Sequence, residues 1–112
     1  MSLFTLGTAQ WGQPYGISNK TGKPEKSEIE RMLSFAALSD ISTIDTARTY
    51  GLSEKVIGEI LKTRPYDKFR IITKLSPDIY EQGVSEKDTV IKVKISIRES
   101  IKALQVEKLD TL

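Results

Sequence analysis

Neither cysteine nor histidine occurs among the 112 residues. Without cysteine there is no disulfide framework and no thiolate nucleophile. Without histidine, a Ser-His-Asp triad and a Cys/His zinc site are both ruled out. Acid–base chemistry is left to carboxylates, lysine and tyrosine. Net charge is small as well, because 17 Lys and Arg oppose 15 Asp and Glu for a balance of +2. That balance carries no nucleic-acid footprint. No apolar run is longer than Phe35-Ala36-Ala37-Leu38, so nothing in the sequence reads as a membrane span. Met1-Ser2-Leu3-Phe4 has neither the charged start nor the apolar core of a secretory signal. The sequon Asn19-Lys20-Thr21 then reads as chance, and the expected compartment is the cytoplasm.

What is present suits one globular domain. The hydrophobic fraction is 38%, and with glycine it approaches the ordinary globular range. Phe4-Thr5-Leu6 is β-prone and stops at Gly7. Residues 12–27 are rich in Gly, Pro, Asn and Lys and read as one long loop. Loops beyond about 12–15 residues tend to carry function or to be disordered. Ser27 with Glu30 has the form of a capping box. Ile29, Met32, Leu33, Ala36 and Ala37 then follow a helical stripe. Ile41-Ser42-Thr43-Ile44-Asp45 is a second strand, and a polar turn from Thr46 to Leu52 leads to a second expected cap at Ser53. Val56, Ile57, Ile60 and Leu61 share one face of the helix that follows, which Pro65 ends. Phe69-Arg70-Ile71-Ile72-Thr73-Lys74 is the third strand, broken at Ser76-Pro77-Asp78.

Two periods compete in the next stretch. Ile91, Val93, Ile95 and Ile97 alternate with polar residues as a strand would, whereas Val90, Val93, Ile97, Ile101 and Leu104 fit a helix. Ser85 with Asp88 gives a cap-like start, and residues 98–104 carry no strand pattern, so a helix is predicted. Leu109-Asp110-Thr111-Leu112 looks like the beginning of a fourth strand. The order β-α-β-α-β-α-β implies a parallel sheet covered by helices. Both a doubly wound sheet and half of a (β/α)8 barrel have that order. Gly7 and Gly12 do not form the dinucleotide fingerprint, and Gly22-Lys23-Pro24 fails as a Walker loop. Their absence favours the barrel.

One constellation carries chemistry. Asp45 and Lys74 end the second and third strands, and Tyr50 lies on the loop after Asp45. Parallel βα architectures open the carboxyl ends of their strands onto one face, so the three converge on one rim. An ammonium beside a phenol stabilises the phenolate, and a carboxylate holds the ammonium in place. The assembly donates a proton without histidine or cysteine. Taken singly, each residue also has an ordinary role as a cap, a turn tyrosine or a solvated lysine.

Ile44-Asp45-Thr46-Ala47-Arg48-Thr49-Tyr50-Gly51, followed by Ser53-Glu54 and Gly58, resembles the aldo-keto reductase signature. Leu6-Gly7-Thr8-Ala9-Gln10-Trp11-Gly12 resembles that family's first strand and loop, and Ile72-Thr73-Lys74 its lysine segment. Ser100-Ile101-Lys102-Ala103-Leu104 and Leu109-Asp110-Thr111-Leu112 are similar to its third helix and fourth strand. The resemblance implies a (β/α)8 TIM barrel, with about the first four strands and three helices in residues 1–112 and no internal domain boundary. It implies an oxidoreductase that reduces an aldehyde or ketone with NADPH or, in some members, NADH. Carried over, Tyr50 is the proton donor, Lys74 assists it and Asp45 pairs with Lys74. Thr8 and Asp45 lie by the nicotinamide, Trp11 and Tyr15 flank the substrate, and no metal is needed. The Gly-Thr-Ala-Gln start is similar to bacterial members linked to sugar metabolism.

The family's histidine follows its fourth strand and has no counterpart here. A barrel of this kind needs about 250 residues. The expectation is an N-terminal part of a larger enzyme or a truncated product, inactive alone, with two open sheet edges and an exposed apolar interior. The alternative is a non-catalytic half-barrel that self-associates or binds a partner. A metal-dependent barrel using Asp45 and Glu54 is a weaker third. The stripe Lys94, Arg98 and Lys102 reads as a solvated helix face.

Overall fold

In the computed structural model, which describes residues 2–17, 19–65 and 67–112, burial alternates along the strands. Met1, in the segment weighed as a signal, and Ser18, in the expected long loop, lie outside the described residues. β1 (Leu6–Gly7), β2 (Thr43–Asp45) and β3 (Arg70–Ile72) form one sheet in that order, and both pairings are parallel. Register sets Leu6, Ile44 and Ile71 in one row and Gly7, Asp45 and Ile72 in the next. Ile44 and Ile71 are buried and Leu6 packs against them, so this row faces the helices. The neighbouring row, which contains Asp45, faces the other way.

Helices connect the strands. α1 (Lys26–Leu38) joins β1 to β2 and α2 (Ser53–Lys62) joins β2 to β3. A 3-10 turn at Pro77–Tyr80 precedes α3 (Glu86–Leu104). Ile29 and Leu33 of α1, Ile57 and Ile60 of α2, and Leu104 of α3 close with Trp11 over Ile44 and Ile71 to form the core. The expected fourth strand is reduced to a single parallel bridge between Ile72 and Thr111. Asp110 supports it by accepting the Ile71 N–H through its side chain at 2.9 Å.

The periods in residues 85–104 resolve to helix. Ser85 caps α3 as expected, its Oγ accepting the Asp88 N–H at 3.1 Å. The buried face is Ser96, Ser100 and Leu104, while Val90 is exposed. Small residues face inward because α3 passes close to α2: a Cβ on Gly58 would stand 2.4 Å from the Ala103 carbonyl oxygen. Lys94, Arg98 and Lys102 are exposed, as expected of a solvated face.

Other expectations are corrected. Ser27 does not cap α1, which begins at Lys26 with Glu25 at the cap position and no side-chain bond. Burial of Ile29, Leu33 and Ala36 holds this helix, and a packed stripe outweighs a local cap. Met32 and Ala37, assigned to the same stripe, are exposed. Ser53 is not a cap either, because its hydroxyl turns inward to Thr8 Oγ1 (2.9 Å) and Thr46 Oγ1 (3.0 Å). The uncovered face of the sheet is largely polar rather than apolar. It carries Gly7, Thr43, Asp45 and Arg70, with Ile72 as its apolar member among the strand residues. Exposed apolar side chains lie elsewhere, on helices as at Phe35 and Leu38 of α1 and outside them as at Phe4 and Ile17.

Candidate active site

Asp45 is the last residue of β2, so its side chain stands on the uncovered face at the carboxyl rim. Lys74 lies two positions beyond β3 on the same rim. Its Nζ donates to Asp45 Oδ1 at 2.5 Å and to the Thr46 carbonyl at 2.9 Å. The same ammonium lies over the Tyr50 ring, 5.3 Å from the centroid. Three residues from two strand ends and one loop are thereby brought together. The pair remains accessible, with Lys74 at 49% and Asp45 at 37% side-chain exposure, so a small molecule can reach it.

Thr8 stands behind Asp45. Its N–H and its Oγ1 both donate to the Asp45 carbonyl, at 3.1 and 2.9 Å, and its Oγ1 accepts from Ser53. Thr8 is buried, and these bonds fix the backbone from which the Asp45 carboxylate projects. A cavity of about 280 Å³ opens beside it, lined in part by Thr8, Trp11, Asp45 and Tyr50. Trp11 is 3% exposed and belongs to the core as well as to this wall. Tyr15 lies apart from it. Its side chain is exposed, and its carbonyl accepts from Gln10 Nε2 and Asn19 Nδ2, which folds the long loop upon itself.

Beneath the rim is a carboxylate that the sequence offers as a motif residue and, in the metal-dependent reading, as a ligand. Glu54, in the first turn of α2, is buried and accepts from Thr73, Ser100 and Arg48. Arg48 also reaches Glu99 at 3.4 Å. A metal role for Asp45 with Glu54 finds no support in these contacts. Among the described residues, no group of three or more His, Cys, Asp or Glu is placed to hold a metal ion. No helix of the described residues is long and apolar enough to cross a membrane. Thr73 and Ser100 carried no local signal, since their partner is far away in the chain.

The sequence pattern of the Aldo/keto reductase family matches residues 4–112. Among curated proteins, none matches the chain. Two solved structures from Pseudomonas aeruginosa, each assigned as an aldo-keto reductase, are similar in fold at TM-scores of 0.73 and 0.70. Both are 28% identical over 94% of this chain. The chain spans 39% of the length of one and 37% of the other. With the parallel βα order, these likenesses make the fold part of a (β/α)8 barrel rather than a doubly wound sheet.

Proposed function

The chain belongs to the aldo/keto reductase family, and on that premise we propose that its rim supplies the proton-donating side of an oxidoreductase site for aldehydes or ketones. Tyr50 is the donor in this reading. The observation that carries it is the position of the Lys74 ammonium, held by Asp45 on one side and lying over the Tyr50 ring on the other. A carbonyl oxygen within hydrogen-bond reach of the Tyr50 hydroxyl receives its proton. An ammonium beside a phenol stabilises the phenolate that donation leaves. Asp45 and the Thr46 carbonyl keep that ammonium in place, with the Asp45 backbone held in turn by Thr8.

NADPH, or NADH, is the proposed cofactor, and when bound it supplies the reducing equivalent. The cavity beside Thr8, Trp11, Asp45 and Tyr50 has the size of one ring-bearing end of such a molecule, at about 280 Å³. Thr8 and Asp45 would flank the nicotinamide end, while Trp11 and, on its loop, Tyr15 would meet substrate. The substrate class is a small carbonyl compound, sugar-derived by our reading, met in the cytoplasm. Residues 1–112 act as one continuous segment of a barrel domain. Because the chain spans about two fifths of its solved relatives, we assign it the proton-donating part of the site and not turnover by itself.

The test is NADPH-dependent reduction of an aldehyde panel by an active barrel enzyme that carries residues 1–112 as its segment, wild type against Tyr50→Phe. Loss of the donor is expected to lower kcat by about 10²–10⁴-fold. Equal rates in the two proteins would refute Tyr50 as the donor. A second reading, a non-catalytic half-barrel that self-associates, draws on the exposed Met32, Phe35 and Leu38 of α1. It expects a mass above the 12.6 kDa of one chain, and a monomer in solution would count against it.

A further inference from the structure

Glu54 is the buried carboxylate among the described residues, 3% exposed, and the mechanism above does not use it. Its two oxygens have different tasks. Oε1 accepts from Thr73 Oγ1 at 2.6 Å and from Ser100 Oγ at 2.7 Å, while Oε2 accepts from Arg48 Nη1. A buried charge is costly unless it is paired and hydrogen-bonded. The three donors and the carboxylate therefore hold one another in place.

Two of those donors adjoin the rim. Thr73 is the residue before Lys74, and Arg48 lies midway between Asp45 and Tyr50. Backbone bonds join the same segments: Thr46 N–H donates to the Ile72 carbonyl at 2.8 Å and Arg48 N–H to the Lys74 carbonyl at 3.5 Å. Ser100 belongs to α3 and donates to the same Glu54 oxygen as Thr73.

We propose that Glu54 is a positioning residue for the rim. One oxygen fixes the segment that carries Lys74, the other fixes the loop that carries Tyr50, and the spacing of ammonium, carboxylate and phenol follows. The consequence for catalysis rests on the proton-donation reading; the positioning itself is testable without it.

Thr73→Val keeps the side chain's size and removes its hydroxyl. Ser100→Ala removes the other hydroxyl on the same oxygen. The readout is the NMR shift of the Lys74 ε-methylene protons, which the Tyr50 ring current displaces while the ammonium stays over the ring. The displacement is expected to vanish in Thr73→Val, to return in Thr73→Ser and to persist in Ser100→Ala. Glu54→Gln, which turns an amide NH2 toward Arg48, is expected to abolish it too.

Both hydroxyl deletions leave the buried carboxylate one hydrogen bond short. A merely structural Glu54 would move Lys74 equally in both variants or in neither, and either result overturns the proposal. If Glu54→Gln does not fold, the Thr73 and Ser100 comparison decides alone. In carbonyl reduction, Thr73→Val is expected to lose about a hundredfold in kcat with KM unchanged, and Thr73→Ser to recover it. A whole barrel enzyme carrying this segment that shows no carbonyl reduction would sink the proton-donation reading, and the NMR comparison would still judge Glu54.

Discussion

A Cβ on Gly12 would stand 1.9 Å from the carbonyl oxygen of Tyr50. It would also lie 2.2 Å from the Ser53 nitrogen, so the first loop touches the turn into α2 with backbone on both sides. Leu52 N–H donates to the Gly12 carbonyl at 3.3 Å across the same contact. The glycine is required by proximity, since any side chain would displace the turn that carries Tyr50.

Gly12→Ala is accordingly expected to destabilise the fold by about 1–3 kcal/mol, the usual cost of overpacking. Urea unfolding followed by the emission of the buried Trp11 measures it. An unchanged midpoint would show that the two loops are not in contact in solution.

Asp45→Asn separates stability from chemistry. The Asp45–Lys74 pair is well exposed, and exposed pairs contribute at most about 1 kcal/mol. The unfolding midpoint should barely move, while carbonyl reduction should fall by about a hundredfold as Lys74 loses its anchor. A large drop in stability with activity retained would reverse this assignment.

Two serines with similar sequence surroundings should behave differently. Ser85→Ala removes the bond to the Asp88 N–H and is expected to cost about 1 kcal/mol. Ser27→Ala, inside α1 and making no cap bond, should stay within about 0.5 kcal/mol of wild type. Chemical denaturation of both variants checks the pair.

Ile57 is fully buried at the centre of the cluster, where α2 meets the sheet. Ile57→Ala should cost about 2–5 kcal/mol. A loss below 1 kcal/mol, roughly that of a surface change, would mean that α2 is not seated on Ile44 and Ile71 as described.

The element order and the meeting of Asp45, Tyr50 and Lys74 were legible from the sequence because both follow from topology. Parallel strands joined by helices must open their carboxyl ends on one side. The caps were less legible. Ser27 and Ser53 have the local pattern of Ser85, yet α1 starts one residue before Ser27 and the Ser53 hydroxyl is drawn inward to Thr8 and Thr46. Glu54 was legible as a motif residue but not in its role, since Thr73 and Ser100 stand 19 and 46 residues away. The polar face of the sheet was missed for a similar reason. Residues 41–45 and 69–74 read as strands without a register, and it is the register that turns Thr43, Asp45 and Arg70 toward the uncovered side.

The parallel sheet also dictates when the rim can exist. No hairpin closes any part of it. Thr8 finds Asp45 across 37 residues, Lys74 finds Thr46 across 28, and Ser100 finds Glu54 across 46. Each closure loses chain entropy before a contact rewards it. The helices form among neighbours, whereas the rim must wait for distant stretches to meet. A newly made chain is helical before its rim is assembled, and Asp45, Tyr50 and Lys74 are among the last residues to find their places.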